Sequence, residues 1–431
     1  MMKLNHWFGV LLLLSTAVSL ADTTAPKQAG YPVGLPPEVL ARTAIAAMPM
    51  SEQSRLGLKA EQVQGQLLKA GSYDWATRLN LQRRQERNTG NRFAEAQVSL
   101  ERGVRWGNKA QLDGRLADQG AQAALSSYED TWHETARSLL KAWFDVAREE
   151  NTLKSQEQQV ALSADQLRVV ERRVAAGDAP RLEALLAQAD LDRAQAAVAS
   201  ARQKATALRL EFDRKYPALR ELHLSLREAS LASPAAQADE EAKLEKTILD
   251  ANHEIELAQA QTALARLRLE RAQSDLRADP VLGLHYGQER GGQDHVIGVS
   301  IAIPFGGAVR DSRVRLAAVE AEMAESRERE VLIRVGIDAR RVAQAVAQSR
   351  SIATQLETAA SRAHTAADLA GRAYAEGETT LTAWLQARRL ASEALLISTL
   401  AQIDALEALA RAMLDAHQVW TPPPPDLPHM P

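Results

Sequence analysis

The residue types that most often do chemistry are present in this chain, but they do not form the patterns that catalysis needs. There is no phosphate-binding loop ending in Lys-Ser or Lys-Thr, no Gly-x-Ser-x-Gly elbow and no His-Glu-x-x-His pair. The chain has no cysteine, which excludes disulfides, thiolate metal sites, cysteine nucleophiles and a lipid-anchored N-terminal cysteine. Beyond residue 21 no histidine lies three or four positions from another; these histidines are His133, His223, His253, His285, His295, His364, His417 and His429. We therefore predict a protein that is not an enzyme, with no cofactor and no metal site at helical spacing.

The first residues have the pattern of an export signal. Lys3 precedes the apolar run Trp7–Leu14, and Ser19 and Ala21 place small residues at the expected cleavage positions. This predicts a secretory signal peptide that is removed before Asp22. No later stretch has the roughly 18 consecutive apolar residues of a transmembrane helix. The 52 basic and 55 acidic residues nearly balance, so the charge gives no reason to expect a nucleic-acid partner.

The composition favours long helices. About 80 alanines make up much of the 45 % hydrophobic content, whereas aromatic residues contribute only 4 %. Alanine favours helices and lets their backbones approach closely, so we expect tightly packed helices and no thick core. Two long proline-free stretches carry apolar repeats that are typical of coiled-coil packing: every seven residues in the first, and alternately every three and four residues in the second. The first repeat, in a helix expected from about Lys109 to Ala175, is Leu125, Trp132, Leu139, Val146, Leu153, Val160, Leu167 and Val174. The second is Leu332, Val335, Ala339, Val342, Val346, Ser349, Ala353, Leu356, Ala360, Ala363, Ala367, Ala370 and Tyr374.

A different pattern precedes each long helix, because apolar and polar residues alternate there over about ten positions. The alternation predicts two antiparallel hairpins, each with one apolar and one polar face. The apolar positions include Leu79, Leu81, Val98, Leu100, Leu282, Leu284, Ile297, Val299, Ile301 and Ile303. Many of the few aromatic residues lie in or beside these strands: Tyr73, Trp75, Phe93, Trp106, Tyr286 and Phe305. His285 and His295 could face each other across the second hairpin, although histidines in a wet lumen are the simpler interpretation.

The two halves of the chain repeat one plan: hairpin, very long helix, turn and shorter returning helix. Gly177 and Gly377 occupy equivalent turns about 200 residues apart, which indicates an internal duplication. Strands of about ten residues have the length needed to cross a bilayer when tilted. Four strands cannot close a barrel, and open edges in lipid are prohibitive, so a barrel would have to be shared between subunits. Three chains would give twelve strands, with room for an aqueous lumen. The alternative is two soluble hairpins that cap a helical bundle.

From about Pro36 to Trp420 the chain resembles the TolC-like outer-membrane efflux proteins. The resemblance rests on the strand-to-helix junction Val299–Gly307 and on two glycine-containing tips, Arg173–Ala189 and Tyr374–Ala387, in this order and spacing. It implies a mainly α fold with a small β part. Long coiled-coil helices would form a helical barrel, and four transmembrane β-strands per chain would complete a twelve-stranded barrel in a trimer. The implied partners are two further copies of the chain, outer-membrane lipid, a periplasmic adaptor (membrane fusion protein) and an inner-membrane efflux pump.

The resemblance also assigns roles to residues at the two turns. It implies that the turns dock an adaptor at the periplasmic tip, through Arg173, Gly177, Asp178, Leu182, Glu183, Leu186, Tyr374, Gly377, Glu378, Leu381 and Leu385. Some family members constrict the tunnel with aspartates just after the second glycine, where this chain has Ala383 and Gln386. The first tip retains an acid, and we hypothesise that Glu183 gives the pore entrance a cation-favouring potential. The alternative is an ordinary solvated glutamate near a helix N-terminus, where negative charge is favoured.

The expected organisation follows from these patterns and the resemblance. It comprises a signal peptide (1–21), an N-terminal periplasmic segment with the first helix (22–72), the first barrel hairpin (73–105), the first long helix, tip and returning helix (106–216), an equatorial segment with one helix over 240–277 (217–279), the second hairpin (280–305), the second long helix, tip and returning helix (306–417) and a Pro-rich tail (418–431). We expect export through the general pathway to the outer membrane, a large periplasmic part and no lipid anchor.

The expected function is the passive exit duct of a tripartite efflux system. The segments 100–105 and 139–144 resemble those of members serving heavy-metal pumps, which favours a resistance-nodulation-division pump exporting metal cations or small toxic compounds. One alternative is a duct for type I protein secretion. Another is a periplasmic adaptor or structural coiled coil, although adaptors usually carry one helical hairpin and this chain has two.

Overall fold

The computed structural model describes residues 34–226 and 238–424. The predicted signal peptide, the first part of the mature segment and the end of the Pro-rich tail lie outside these ranges. Within them the chain forms eight α-helices: α1 Glu38–Ala46, α2 Pro49–Ala70, α3 Lys109–Ala175, α4 Arg181–Lys215, α5 Ala238–Asp250, α6 His253–Ser274, α7 Ala308–Ala375 and α8 Leu381–Asp415. The strands are β1 Ala76–Gln85, β2 Arg92–Gly103, β3 Val281–Glu289 and β4 Asp294–Ala302.

Two helices dominate the molecule. α3 has 67 residues and α7 has 68, so each is roughly 100 Å long at 1.5 Å per residue. α4 returns along α3 and α8 returns along α7, and α3 also contacts α2, α6 and α8. Every member of the first apolar repeat is buried or half-buried, and in the second repeat only Leu332 is exposed. The 3.5-residue repeats therefore mark the packing seams of two helical hairpins.

The four strands form one antiparallel sheet in the order β1-β2-β3-β4. Its central pair, β2 and β3, joins the two halves of the duplication: Leu100 lies opposite Leu284, and Val98 lies opposite Tyr286. The outer hairpins follow the same parity, with Leu79 opposite Val98. The register brings the apolar positions of both hairpins onto one face of a single sheet.

The equatorial segment differs from the expected single helix over 240–277, so that prediction is wrong. α5 ends at Asp250 and α6 begins at His253. Between them Asn252 has an extended backbone, and its side chain accepts a hydrogen bond from the Ile255 N–H at 3.0 Å. Asparagine at an N-cap satisfies a backbone donor that a helix start leaves unpaired, so the chain begins a new helix there.

The predicted fold class is confirmed for the single chain, that is, for the long helices, the four strands and the internal duplication. The protein is mainly α-helical with a small antiparallel β part, and its two halves repeat the same order of elements. No helix among the described residues combines the length and apolar character needed to cross a membrane.

Candidate functional site: an apolar sheet face and two helix tips

One face of the sheet is apolar and uncovered. The ten apolar residues predicted to face lipid are 42–76 % exposed in the chain: Leu79, Leu81, Val98, Leu100, Leu282, Leu284, Ile297, Val299, Ile301 and Ile303. Those inside the strands share one face, because the register aligns them across neighbouring strands. Soluble proteins rarely leave a continuous apolar surface of this kind in water, so this face needs lipid or a partner.

The opposite face of the sheet is polar and internally bonded. Gln82 donates to Glu95 Oε2 at 2.8 Å, and Arg84 Nε lies 3.1 Å from the other oxygen of the same carboxylate. Further along that face, Arg78 Nη1 lies 3.2 Å from Glu101 Oε1. These cross-strand pairs satisfy polar side chains in water, which fits a sheet with one apolar and one wet face.

The sheet also has two open edges. β1 and β4 are its outer strands, so one side of each lacks a strand partner within the described residues. Unpaired backbone N–H and C=O groups are not tolerated in lipid, since no water is available to bond them. In lipid, a sheet with this apolar face would need further strands beside β1 and β4 to pair its two edges.

The two strand histidines do not face each other, so that hypothesis is wrong. His285 lies opposite Gly298 and His295 lies opposite Gln288, which places the two rings on opposite faces of the sheet. The phenol oxygen of Tyr286 lies 2.8 Å from His295 Nδ1, and the two rings are stacked. The register of β3 and β4 decides this outcome, because a shift of one residue changes the face of every side chain.

Exposed aromatic residues mark the end of the sheet from which the long helices leave. Trp75 precedes β1, Trp106 follows β2 and Phe305 follows β4, and all three are more than half exposed. In antiparallel strands these positions fall at the same end of the sheet. Aromatic rings at one level are typical of the boundary between the apolar core of a membrane and water.

A buried ionic network ties the sheet to the helices at this same end, and sequence analysis did not find it. Asp279, just before β3, accepts hydrogen bonds from Lys109 Nζ at 2.7 Å, the Tyr73 hydroxyl at 2.7 Å and the Trp106 N–H at 2.8 Å. Lys109, the first residue of α3, is only 1 % exposed. Burial alone would raise the pKa of Asp279, but the bonds from Lys109, Trp106 and Tyr73 hold it below its usual value. The network fixes the start of α3 relative to both hairpins.

The two helix tips have the same backbone geometry. At the first, the Gly177 N–H bonds the Val174 carbonyl at 3.1 Å and the Asp178 N–H bonds the Arg173 carbonyl at 2.8 Å. The second tip repeats both bonds at 3.1 and 2.8 Å through residues 373–378. The glycines have φ of +79° and +78°. This pair of bonds is the Schellman motif, which favours glycine at the left-handed position.

Replacing Gly377 with alanine is expected to destabilise the second tip by about 1 kcal/mol, because a side chain at that φ meets the backbone. Gly57, an exposed residue inside α2 with nothing within 4 Å of a built Cβ, provides the control. There the same change should stabilise the helix by about 0.5–1 kcal/mol. Hydrogen exchange of the tip amides and the melting temperature of each variant would check this. Equal shifts for the two variants would contradict the assignment.

The two tips pack against each other through Tyr374. Its hydroxyl donates to Glu183 Oε2 at 2.9 Å, its ring stacks on Trp384 at 5.0 Å, and the Arg173 guanidinium lies 4.6 Å from its centroid. Burial and the hydrogen bond to Glu183 raise the pKa of Tyr374. Thus Glu183, predicted as a pore-entrance charge, also joins α4 to the end of α7.

The other predicted docking residues divide into two groups. Leu381 is 1 % exposed, so it packs inside the tip cluster, and Leu385 is half-buried against the same cluster. The exposed group consists of Gly177, Asp178, Leu182, Leu186, Gly377 and Glu378. This second group is available for contact with a partner.

Sequence analysis did not single out Trp384 and Arg388, which also belong to the contact between the tips. The Arg388 guanidinium donates a hydrogen bond of 2.8 Å to Oε1 of Gln166 on α3. Burial lowers the pKa of Arg388, with Asp190 and Asp165 partly offsetting that effect. A tryptophan three residues into a helix that follows a glycine turn is the one sequence feature that could have identified this contact.

Solved structures with the same fold are outer-membrane channels. The chain is similar to the Campylobacter jejuni CmeC outer membrane channel (TM-score 0.73, 12 % identity, 88 % of this chain and 84 % of that one). It is also similar to the outer membrane protein VceC from Vibrio cholerae (TM-score 0.70, 15 % identity, 88 % of this chain and 95 % of that one). A third similar structure is the open state of the Neisseria gonorrhoeae MtrE outer membrane channel (TM-score 0.64, 15 % identity, 90 % of this chain and 90 % of that one). No protein-family model and no curated protein matches the chain.

These likenesses cover nearly nine-tenths of the chain, so they concern the whole architecture and not one hairpin. The chain therefore has the fold of these outer-membrane channels, in which a small β-sheet is joined to very long helices. The resemblance to TolC-like outer-membrane efflux proteins is confirmed as a resemblance of fold.

Proposed function

We propose that this chain is one subunit of a trimeric outer-membrane channel that serves as the passive exit duct of an efflux system. Three four-stranded sheets would join edge to edge, β4 of one copy beside β1 of the next, into a twelve-stranded barrel. Each apolar face would contact lipid, and each polar face would line a wet lumen. The long helices would continue the passage into the periplasm.

The observation that carries this proposal is the sheet with one apolar face and two open edges. Lipid can cover the face but cannot satisfy the edges, so both features are accommodated together only by a closed, shared barrel. The polar pairs on the opposite face, such as that between Gln82 and Glu95, support an aqueous lumen. A soluble coiled coil that ended in two hairpins would leave both features unexplained.

Extraction and mass measurement test this function. We expect the protein to remain with the outer-membrane fraction after a high-salt wash, to need detergent for release, and to have the mass of three copies in that detergent. Release by salt as a monomer would contradict the proposal and favour a periplasmic adaptor or a structural coiled coil.

The partners we propose are a periplasmic adaptor and an inner-membrane pump of the resistance-nodulation-division type. The exposed tip residues, among them Leu182 and Leu186, provide apolar side chains for docking an adaptor. The exported compounds would be metal cations or small toxic molecules. A strain lacking this chain should become more sensitive to such compounds. A defect limited to one secreted protein would instead favour a type I secretion duct.

We further propose that Glu183 contributes a cation-favouring charge to the pore entrance. Glu183→Gln should reduce the ratio of cation to anion permeability in single-channel recordings, because it removes one charge from each subunit. Tyr374→Phe is the matched control: it removes the hydroxyl that bonds Glu183 but keeps the charge. We expect Tyr374→Phe to loosen the contact between the tips and to preserve selectivity. Unchanged selectivity in Glu183→Gln would overturn this role.

A further inference from the structure

We propose that Glu129, His253 and Glu256 form a binding site for a divalent cation of the Zn²⁺ type. Glu129 lies on α3, and the other two residues lie in the first turn of α6. The site is in the helical part of the molecule, away from both the sheet and the tips. Glu129 is more than 120 positions from the other two residues, so sequence spacing could not have indicated the complete site.

The distances between the three side chains suit ligands of one ion. His253 Nδ1 is 3.2 Å from Glu256 Oε2 and 3.6 Å from Glu129 Oε2. All three ligand atoms lie within 4.8 Å of one another. Ligands at roughly 2.0–2.1 Å in a tetrahedral zinc site are separated by roughly 3.3–3.4 Å. Small rotations of the two carboxylates would bring all three atoms to that spacing.

The histidine ring is not satisfied by hydrogen bonds. Nδ1 faces two carboxylates but can donate a single proton, and the buried Nε2 has no hydrogen-bond partner among the described residues. The two carboxylates repel each other, and hydrogen bonds to one imidazole offset that repulsion only in part. A cation between the three groups would offset it more fully.

The surrounding residues hold the histidine ring in place. The His417 ring lies 4.3 Å from that of His253, centroid to centroid, and the His133 ring lies 5.2 Å from His417 on its other side. His133 Nε2 is in turn 3.1 Å from Asp415 Oδ1. His417 has φ of +55° because it is the left-handed residue that ends α8: its N–H bonds the Leu414 carbonyl at 3.0 Å, and the Gln418 N–H bonds the Met413 carbonyl at 2.9 Å.

The donor set selects the class of cation. One imidazole and two carboxylates suit Zn²⁺ and related divalent ions, whereas soft Cu(I) prefers thiolate or thioether ligands. Glu256 has half of its side chain exposed, so solvent can reach the site and fill a remaining coordination position. A bound ion would link α3 to α6, and its stabilisation of the folded chain would grow with the logarithm of the ion concentration above the dissociation constant.

Titration of the purified, metal-free protein with Zn²⁺ tests the site. We expect one Zn²⁺ per chain in calorimetry, and a melting temperature that rises with Zn²⁺ and falls again with a chelator. Glu129→Gln and Glu256→Gln should each weaken the affinity at least tenfold. Glu256 is half exposed, so its replacement by glutamine should not impair folding. His364→Asn is the control, because His364 is exposed and lies near a single acid, Asp368.

Three results of this titration would overturn the proposed cation site. No binding at 100 µM Zn²⁺, a level ten to a hundred times above a site of micromolar affinity, would overturn the proposal. Binding that is unchanged in both glutamine variants, or that is lost equally in His364→Asn, would overturn it as well. The test does not depend on channel formation, so a failure here would leave the proposed function untouched.

Discussion

Replacing Val299 with arginine is expected to prevent stable insertion of the protein into the outer membrane. Val299 lies near the middle of β4, on the apolar face of the sheet, and is 75 % exposed. An arginine on the lipid side of a transmembrane strand costs about 2–4 kcal/mol at the centre of the bilayer. Each subunit of a trimer would carry that cost, so assembled protein in the membrane fraction should decrease strongly.

The neighbouring residue supplies the matched control for this substitution. Ser300 lies on the opposite, polar face of β4 and is also exposed. Ser300→Arg should therefore insert and assemble nearly as well as the unmodified chain. Heat-sensitive oligomer bands from outer-membrane extracts would measure both. Equal assembly of the two variants would show that Val299 does not face lipid.

The second large effect is expected at the junction between sheet and helices, where Asp279→Ala should destabilise the protein by about 3–5 kcal/mol. The substitution removes the closest carboxylate from the ammonium of Lys109, a residue that is 1 % exposed, and leaves it only the more exposed Asp275 at 3.2 Å. It also removes the acceptor for the Tyr73 hydroxyl and the Trp106 N–H. The melting temperature in detergent would report the loss.

Two comparisons separate this effect from a general loss of surface charge. Asp118 is also paired to a lysine, but it is largely exposed. Asp118→Ala should therefore lower the free energy of unfolding by less than about 1 kcal/mol. Adding Lys109→Met to Asp279→Ala should recover part of the stability, because the buried ammonium that has lost its closest carboxylate is then gone. If Asp279→Ala and Asp118→Ala had the same melting temperature, the junction network would contribute little to the stability of the protein.

Periodicity predicted the parts of the fold that follow local rules. The repeat from Leu125 to Val174 indicated α3, since a helix that must pack along its length keeps its apolar residues on one stripe. Alternation around Val98 and Val299 indicated the strands and which of their faces is apolar. The glycine turns were recognisable because the left-handed position strongly favours one residue type.

Contacts between distant segments could not be predicted in this way. The pairing of β2 with β3, the bond between Tyr374 and Glu183, and the approach of Glu129 to His253 all join residues far apart in the chain. Local composition carries no information about such pairs. The break at Asn252 was missed for a different reason: a single capping residue within a continuous helical pattern is a weak feature.

The central claim is that one face of the sheet contacts lipid and the other contacts water, and site-directed spin labelling along β4 tests it most directly. The chain has no cysteine, so a single cysteine can be placed at each position in turn. In reconstituted vesicles we predict that labels at Ile297, Val299 and Ile301 are accessible to oxygen dissolved in lipid. Labels at Val296, Ser300 and Ala302 should instead be accessible to a water-soluble relaxation agent, which gives an alternation with a period of two. Uniform access of the water-soluble agent along β4 would contradict the account.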